Sequence, residues 1–507
     1  MTIQNVEIAE ETLDVLIIGA GISGIGAAYY LQKELPLKSF AIVEARGALG
    51  GTWDLFRYPG ARSDSDLYTF GYEFKPWKND KAIADAQSIL NYLRDTAREF
   101  GVDRKIRYHH KVLNASWSSE RARWTVEIER ADSGGRKIVS CWWIFCASGY
   151  YDCENGFSPR FEGAETFRGT IVHPQKWPEG LDYAGRNVVI IGSGATAVTL
   201  APAMAETAAH VTLLQRTPSY VMSLPSQDGL ANVLKRMLPE ERAHALIRRK
   251  NAARQYWFWK FCRTFPRTAR KLIRAATRKQ LRADCPVDVH FNPPYDPWDQ
   301  RLCAVPDGDL FKTLRAGRAS IVTDRIDRFA ENGVRLASGK TLPADIIVTA
   351  TGLNLLPLGG VAFSVDGKPV NLPEKVVFRG MMLDGVPNFA VAVGYTNSSW
   401  TLKIGLLCKH FCKILRHMDE SGAAACVPRL PAGMKTRPLL DFGAGYVKRS
   451  LHQWPRQGEQ APWLMSTSYQ ADKALIRRKV EHANLAFSPA TKANAPANAE
   501  PRVAASA

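Results

Sequence analysis

The sequence predicts an α/β protein of two parallel-sheet domains, one of them carrying a helical insertion. Three observations carry that prediction. A strand–glycine turn–helix–strand unit occurs twice, from Leu13 to Glu44 and from Asn187 to Arg216. At 507 residues the chain is too long for one compact core, so two or three domains are expected. Between residues 230 and 285 the pattern turns helical and strongly basic. Units with this order of elements are Rossmann-like, so the chain reads as two Rossmann-like dinucleotide-binding domains with a helical insertion.

In the first unit, LDVLIIGAGISG runs from Leu13 to Gly24. A short apolar strand leads into glycines and then a helix through Ala27, Ala28 and Leu31, and a second strand, FAIVEA, carries Glu44 at its end. Each part has a physical task. Gly19 makes the tight turn, Gly21 lets the backbone approach a pyrophosphate, and Gly24 lets the helix pack close to the sheet. With Ser23 they form the loop, and the helix N-terminus offers free N–H groups to phosphates. Glu44 can accept bonds from both ribose hydroxyls and would repel a 2′-phosphate, so this site suits FAD or NAD but not NADP.

The second unit, NVVIIGSGATAV, places Gly192, Ser193, Gly194, Ala195, Thr196, Ala197 and Val198 in the equivalent loop, with Ala197 in place of the third glycine. Its next strand, HVTLLQR, ends at Arg216 and Thr217, with no acid. A guanidinium there can grip a 2′-phosphate bidentately, so the second nucleotide is expected to be NADPH.

The remainder is read around these anchors. Residues Tyr108 to Trp143 alternate apolar and polar types, as a small antiparallel meander would, before the chain returns to the parallel sheet at Ile144–Ala147. A further strand is expected in ADIIVTATGLN, after Thr341. The expected division is a discontinuous FAD-binding domain, 1–155 and 340–485, around an NADPH-binding domain, 156–339, with the basic insertion at about 230–285. The tail 486–507, rich in Ala, Pro and Asn, is expected to be disordered.

Composition narrows the class. An apolar fraction of 46% with 10% aromatics is globular. Nine cysteines, an odd number with none in a CxxC pair, point to a reducing cytosol and away from a flavin disulfide reductase. Residues 1–12 hold no apolar stretch suited to a signal peptide, and no run of 18 apolar residues exists to span a bilayer. No cluster with metal-ligand spacing is found, so no metal is expected.

Two further motifs are specific. GGTWDLFRYPGARSD runs from Gly50 to Asp64, and FRGTIVHPQKWP fits FxGxxxHxxxWP through Phe167, Gly169, His173, Trp177 and Pro178. Together they resemble the type I Baeyer–Villiger monooxygenases, relatives of the flavin-containing monooxygenases. The resemblance runs from about residue 13 to 485, and SGYYD, PWDQRLC, DGDLF, ATGLN and GYTNSSWTLK resemble especially the ethionamide-activating branch. It implies an FAD-dependent, NADPH-consuming enzyme that inserts one oxygen atom of O2 into ketones and oxygenates sulfides or thioamides. It also implies roles. Thr52, Trp53, Asp54 and Leu55 would pass along the flavin, and Arg62, Ser63 and Asp64 would lie between flavin and nicotinamide. The backbone at Val112 would meet the adenine. Arg301, in PWDQRLC, matches the family's catalytic arginine, a cation that stays charged in a dry site and stabilises negative charge on the activated oxygen. Asp64 would hold it as an ion pair. One position departs: Gln300 stands where several members carry a lysine that helps hold the NADPH phosphate, which leaves that task to Arg216 and Thr217. His173 has no Asp or Ser partner in the sequence and reads as a linker that couples the two domains.

Two alternatives stay open. One is an N- or S-oxygenating flavin monooxygenase without ketone activity. The other is a non-enzyme, a basic protein of membrane surfaces. The net charge is +18, and between Lys235 and Arg282 stand sixteen Lys or Arg against two Glu, interleaved with Tyr256, Trp257, Phe258, Trp259 and Phe261. Aromatics among cations suit an interfacial anchor, whereas nucleic acid is not expected because no RNA-binding fold accompanies them. The same stretch also reads as a solvated helical lid over the active site. The protein is therefore expected in the cytoplasm, and between lid and peripheral membrane contact the segment 235–282 stays open.

Overall fold

The computed structural model describes residues 6–440, 442–477, 480 and 482–489. Its centre is the strand Val6–Ile18, whose VLII run buries Val15, Leu16 and Ile17 completely. A strand covered on both faces is apolar throughout, not alternating. It pairs in parallel with Phe40–Val43 and Arg136–Cys146, so that Val15 faces both Phe40 and Trp143. The strand Arg136–Cys146 also pairs antiparallel with Arg123–Arg130, which makes the meander an extension of the same sheet. Among the described residues this sheet has nine strands, including the late arrivals Ala362–Val365 and Phe389–Val391. One face is covered by the helices Ile22–Glu34 and Trp400–Ser421, packed on each other. Phe411 of the latter sits edge-on to Trp143, 5.3 Å between ring centres.

The second sheet has five parallel strands, in the order Ala319–Thr323, His210–Gln215, Asn187–Ile191, Ile346–Thr349 and Thr170–Val172. This corrects the domain boundary expected at 339/340. Ile346–Thr349 lies against Asn187–Ile191, Ile346 opposite Val188, so the second domain reaches about residue 350. An apolar IIVT strand carries no mark of which parallel sheet it will enter. A second correction concerns the tail. Residues 486–489, expected to be disordered, belong to the strand Leu485–Pro489, paired with Ala423–Pro428. The rest of that expectation, residues 490–507, lies outside the described residues.

Cys141 and Cys146 have a CxxxxC spacing, which alone would suit a redox dithiol. Both are buried free thiols on one extended strand, which sets them about 16 Å apart, beyond disulfide reach.

The insertion forms three helices, Gly229–Met237, Glu240–Thr264 and Pro266–Arg278. Although it leaves the second domain, its long helix is seated on the first. His244 Nε2 meets the Tyr72 carbonyl at 3.2 Å, and Arg248 Nη1 donates to the carbonyls of Tyr68, Thr69 and Gly71 at 3.1, 3.0 and 2.8 Å. Asn251 and Gln255 donate to the two oxygens of buried Asp66, at 2.9 and 2.7 Å. The inner face of a basic helix is thus a polar lock between domains.

Candidate active site

Both glycine loops open onto one cavity of about 1400 Å³. In the first loop Gly19 holds φ +101°, and a Cβ there would come within 2.7 Å of the Ala147 carbonyl oxygen. A Cβ on Gly24 would fall 1.9 Å from the Gly19 oxygen, so only glycine lets the helix start this close to the strand. The helix Ile22–Glu34 begins at Gly21 without a side-chain cap, leaving its first N–H groups as free donors at the cavity wall. Glu44 is buried and fixed from behind: Ala20 N–H donates to one carboxylate oxygen at 2.8 Å and Arg46 N–H to the other at 3.0 Å. Glu44 still lines the cavity, where its remaining lone pairs suit ribose hydroxyls.

The second loop repeats the plan. Gly192 has φ +146°, and its Cβ would meet the Ala350 oxygen at 2.3 Å. Ala147 and Ala350 each follow the last residue of a neighbouring strand, so each first glycine passes under the loop leaving that strand. Gly194 starts the helix Ala195–Met204, again uncapped, and a Cβ on it would meet open space. Arg216 is exposed on the cavity wall beside Thr217 and has no ion-pair partner among the described residues. A guanidinium in that state is free to bind a dianionic phosphate.

Between the loops lies the segment Tyr58–Asp64. Gly60 packs so tightly on the second unit's helix that a Cβ would stand 2.9 Å from the Thr199 oxygen. Arg62 is ion-paired with Asp309, the first residue of the helix Asp309–Arg315, and Ser63 Oγ donates to the Ser65 carbonyl at 2.9 Å. Asp64 accepts from Arg301 Nη1 at 3.1 Å, and both line the cavity. The charge of Asp64 holds the guanidinium pKa above its ordinary value. Burial pushes the phenols of Tyr151 and Tyr446 up, so they remain neutral donors at pH 7. Tyr150 stacks on Trp400 at 5.3 Å between ring centres, and Trp400 Nε1 donates to Ser23 Oγ at 2.9 Å.

Most residues singled out in the sequence therefore line one cavity. Gly19, Gly21, Ser23, Glu44, Thr52, Trp53 and Leu55 line the first half, and Gly192, Ser193, Gly194, Ala195, Thr196, Arg216 and Thr217 the second. Arg62, Ser63, Asp64 and Arg301 lie between. Gly24, Ala197 and Val198 stand behind, in the packing of helix on sheet. Two further expected residues do not line the cavity. Asp54 does not line the cavity; it is buried and ion-paired to Arg46 at 3.0 Å and Arg57 at 3.4 Å, which secures the loop from behind. Val112 likewise does not line the cavity with its side chain, which is buried in the core of the sheet; the expectation placed on it concerns its backbone. His173 bonds the Gly352 carbonyl at 3.2 Å and accepts from Gln175 N–H, and burial lowers its pKa, so it acts as a neutral strut at the domain junction. The sequence reading missed Tyr150, Tyr446, Trp400 and Arg449 as wall residues. Only SGYYD and NSSWTLK, noted as family stretches, pointed near them.

Two uncapped glycine loops on one cavity, one backed by an acid and the other by an unpaired arginine, define an oxidoreductase that handles two dinucleotides. The comparisons with known proteins make the class specific. Residues 72–264 match the family profile "Flavin-binding monooxygenase-like", and residues 17–78 match an NAD(P)-binding Rossmann-like domain. The chain is 50% identical to the FAD-containing monooxygenase EthA of Mycobacterium tuberculosis over 94% of its own length and 98% of that protein's. The counterpart from Mycolicibacterium smegmatis is 47% identical, over 94% and 97%. Among solved structures, an oxidized steroid monooxygenase bound to NADP superposes with TM-score 0.74 at 22% identity, covering 94% of this chain and all of that one. The open form of cyclohexanone monooxygenase gives 0.72 at 19% identity, over 94% and 100%. The chain belongs to the flavin-binding monooxygenase family and is a flavoprotein monooxygenase, as its motifs led one to expect.

Proposed function

We propose that this protein binds FAD at the first loop and NADPH at the second, and inserts one oxygen atom of O2 into ketones to give esters or lactones. The second oxygen atom leaves as water, with NADPH supplying the electron pair. The same site would oxygenate sulfides and thioamides. The observation that carries the reading is the Arg301–Asp64 pair, set in the cavity between the two loops. Bound FAD would supply the two-electron chemistry that activates oxygen.

The chain's own residues would do the rest. Glu44 would hold the FAD ribose, and the free N–H groups at Gly21–Ser23 its pyrophosphate. Arg216 and Thr217 would hold the NADPH 2′-phosphate, without help from Gln300. Arg301 would keep a permanent positive charge where negative charge develops, first on the activated oxygen and then on the former carbonyl oxygen. Asp64 would orient the guanidinium, with Tyr150 and Tyr446 beside it on the cavity lining. We extend the proposal to location: the protein works in the cytoplasm and contacts membranes through the basic aromatic segment 235–282.

Purified protein, given NADPH and labelled O2 with a panel of ketones and sulfides, should yield ester carrying one labelled atom. Sulfoxide without any ester would favour the alternative, an oxygenase confined to nitrogen or sulfur.

A further inference from the structure

The helical insertion does not roof the active site. None of the residues lining the cavity lies between 220 and 299. The insertion's inner face is committed to the lock on the first domain, through His244, Arg248, Asn251 and Gln255. Its outer face has the opposite character. Ten large hydrophobic side chains are strongly exposed among the described residues, and seven of them, Leu230 to Leu272, fall in the insertion.

Their spacing is ordered. Leu230, Val233 and Met237 recur at i, i+3 and i+7 on the helix Gly229–Met237, one stripe. Leu246 and Trp257 are eleven residues apart, three turns of the helix Glu240–Thr264, and so share a face. Phe265 is exposed at the junction before the next helix, and Leu272 is exposed on that helix. The three helices pack in succession. Around these stripes the charge is positive. Arg242, Arg249, Arg254, Lys260, Arg267 and Lys271 are exposed and have no ion-pair partner among the described residues. Lys260 lies 5.1 Å from the centre of the exposed Trp257 ring. On the long helix Arg242, Arg249 and Lys260 flank the Leu246–Trp257 stripe.

We propose that this outer face is a docking surface for an anionic phospholipid bilayer. Leu246, Trp257, Phe265 and Leu272 enter the boundary between headgroups and acyl chains, and the flanking cations hold the headgroup phosphates. The inference rests on the location proposed above and adds to it the face, the side chains and the lipid chemistry. Apolar stripes alone would suit a second protein. Unpaired cations alone would suit nucleic acid. Their alternation on the exposed helices of the insertion fits an anionic interface, which offers both a charged plane and an apolar layer beneath it.

The test is vesicle flotation with the full-length holoenzyme, against phosphatidylcholine alone and phosphatidylcholine mixed with phosphatidylglycerol. The expected result is flotation with the mixed vesicles, weakened by salt, and a blue shift of tryptophan emission that Trp257→Ser abolishes. The triple variant Arg242→Glu, Arg249→Glu, Lys260→Glu should bind the mixed vesicles roughly a hundredfold more weakly. Its NADPH oxidation with a water-soluble ketone should match the parent, since none of the three lines the cavity. Equal flotation with both vesicles, flotation of the triple variant, or tighter binding to RNA than to vesicles would overturn the proposal. So would a dimer broken by Trp257→Ser in a protein that binds no vesicle. A chain that floats as expected yet oxygenates nothing would instead refute the proposed reaction and leave the docking surface standing.

Discussion

Replacing Arg301 with Ala removes the one feature on which the proposed reaction most depends. Arg301 is joined to Asp64 by a single bond of 3.1 Å, with 38% of the arginine side chain and 26% of the aspartate exposed. A pair that open to solvent contributes no more than about 1 kcal/mol to stability, so the variant should fold with a nearly unchanged Tm. Arg301 belongs to neither glycine loop, so FAD should stay bound and NADPH should still reduce it. Loss of one preorganised partner of developing negative charge costs about 3–4 kcal/mol, which is a fall of roughly a hundred- to a thousandfold in ester formation. The structure adds a second effect. Asp64 is left in the cavity without its cation, and its charge opposes the charge that develops in the reaction. The double variant Arg301→Ala, Asp64→Ala should therefore be no slower than Arg301→Ala alone, although two losses would add if the residues acted independently. Arg301→Lys should recover only part, since a point charge does not reproduce the planar fork. The assay is NADPH consumption followed together with ester and hydrogen peroxide: ester should collapse while peroxide rises. Near-parental ester from Arg301→Ala would refute the assignment of this cavity wall as the oxygenating site.

Four other outcomes are expected. Arg216→Ala should raise KM for NADPH by about 1.5–3 kcal/mol of lost charge-assisted bonding and leave KM for NADH almost unchanged; equal shifts would show that Arg216 does not read the phosphate. Gly24→Ala should abolish FAD retention on gel filtration, because its Cβ would sit 1.9 Å from the Gly19 oxygen. Buried His244 has its pKa lowered to about 4 by burial, from 6.5. It is neutral when folded and takes up a proton on unfolding, so stability present above pH 6.5 is lost as pH falls towards 4, by at most about 3 kcal/mol. Chemical denaturation of His244→Gln across that range should show a flatter acid limb than the parent. Gln255→Ala should lower stability by about 1–3 kcal/mol, because the buried Ser399 N–H loses its partner and Asp66 loses one donor, and it should raise the share of NADPH lost to peroxide, because Asp66 and Ser399 adjoin Ser65 and Trp400 of the cavity lining.

Much of the site was legible because its physics is local. A strand, a residue with positive φ, an uncapped helix start and a strand-terminal acid or arginine fall within about thirty residues of one another, and each leaves a residue type behind. Gly19 and Gly24 show how literal the signal is, since a methyl group at either collides with backbone. Family motifs extended the reading to Asp64 and Arg301, which are 237 residues apart and share no local pattern.

The sequence by itself thus determined the two glycine loops, the acid at Glu44, the strand-terminal Arg216 and the basic, aromatic character of the insertion. The tertiary structure alone decided that Ile346–Thr349 enters the second sheet, that Asp54 braces its own loop from behind, and that Tyr150, Tyr446 and Trp400 line one small cavity with Arg301. It also decided that the insertion locks onto the first domain through Arg248 and Gln255 and turns its exposed aromatics outward. The reason is range. Turn geometry and capping are set by neighbours in the chain, whereas strand partners, buried ion pairs and the facing of a helix are set by whichever distant surface satisfies their buried polar groups and apolar area, and no window of sequence contains both sides of that contact.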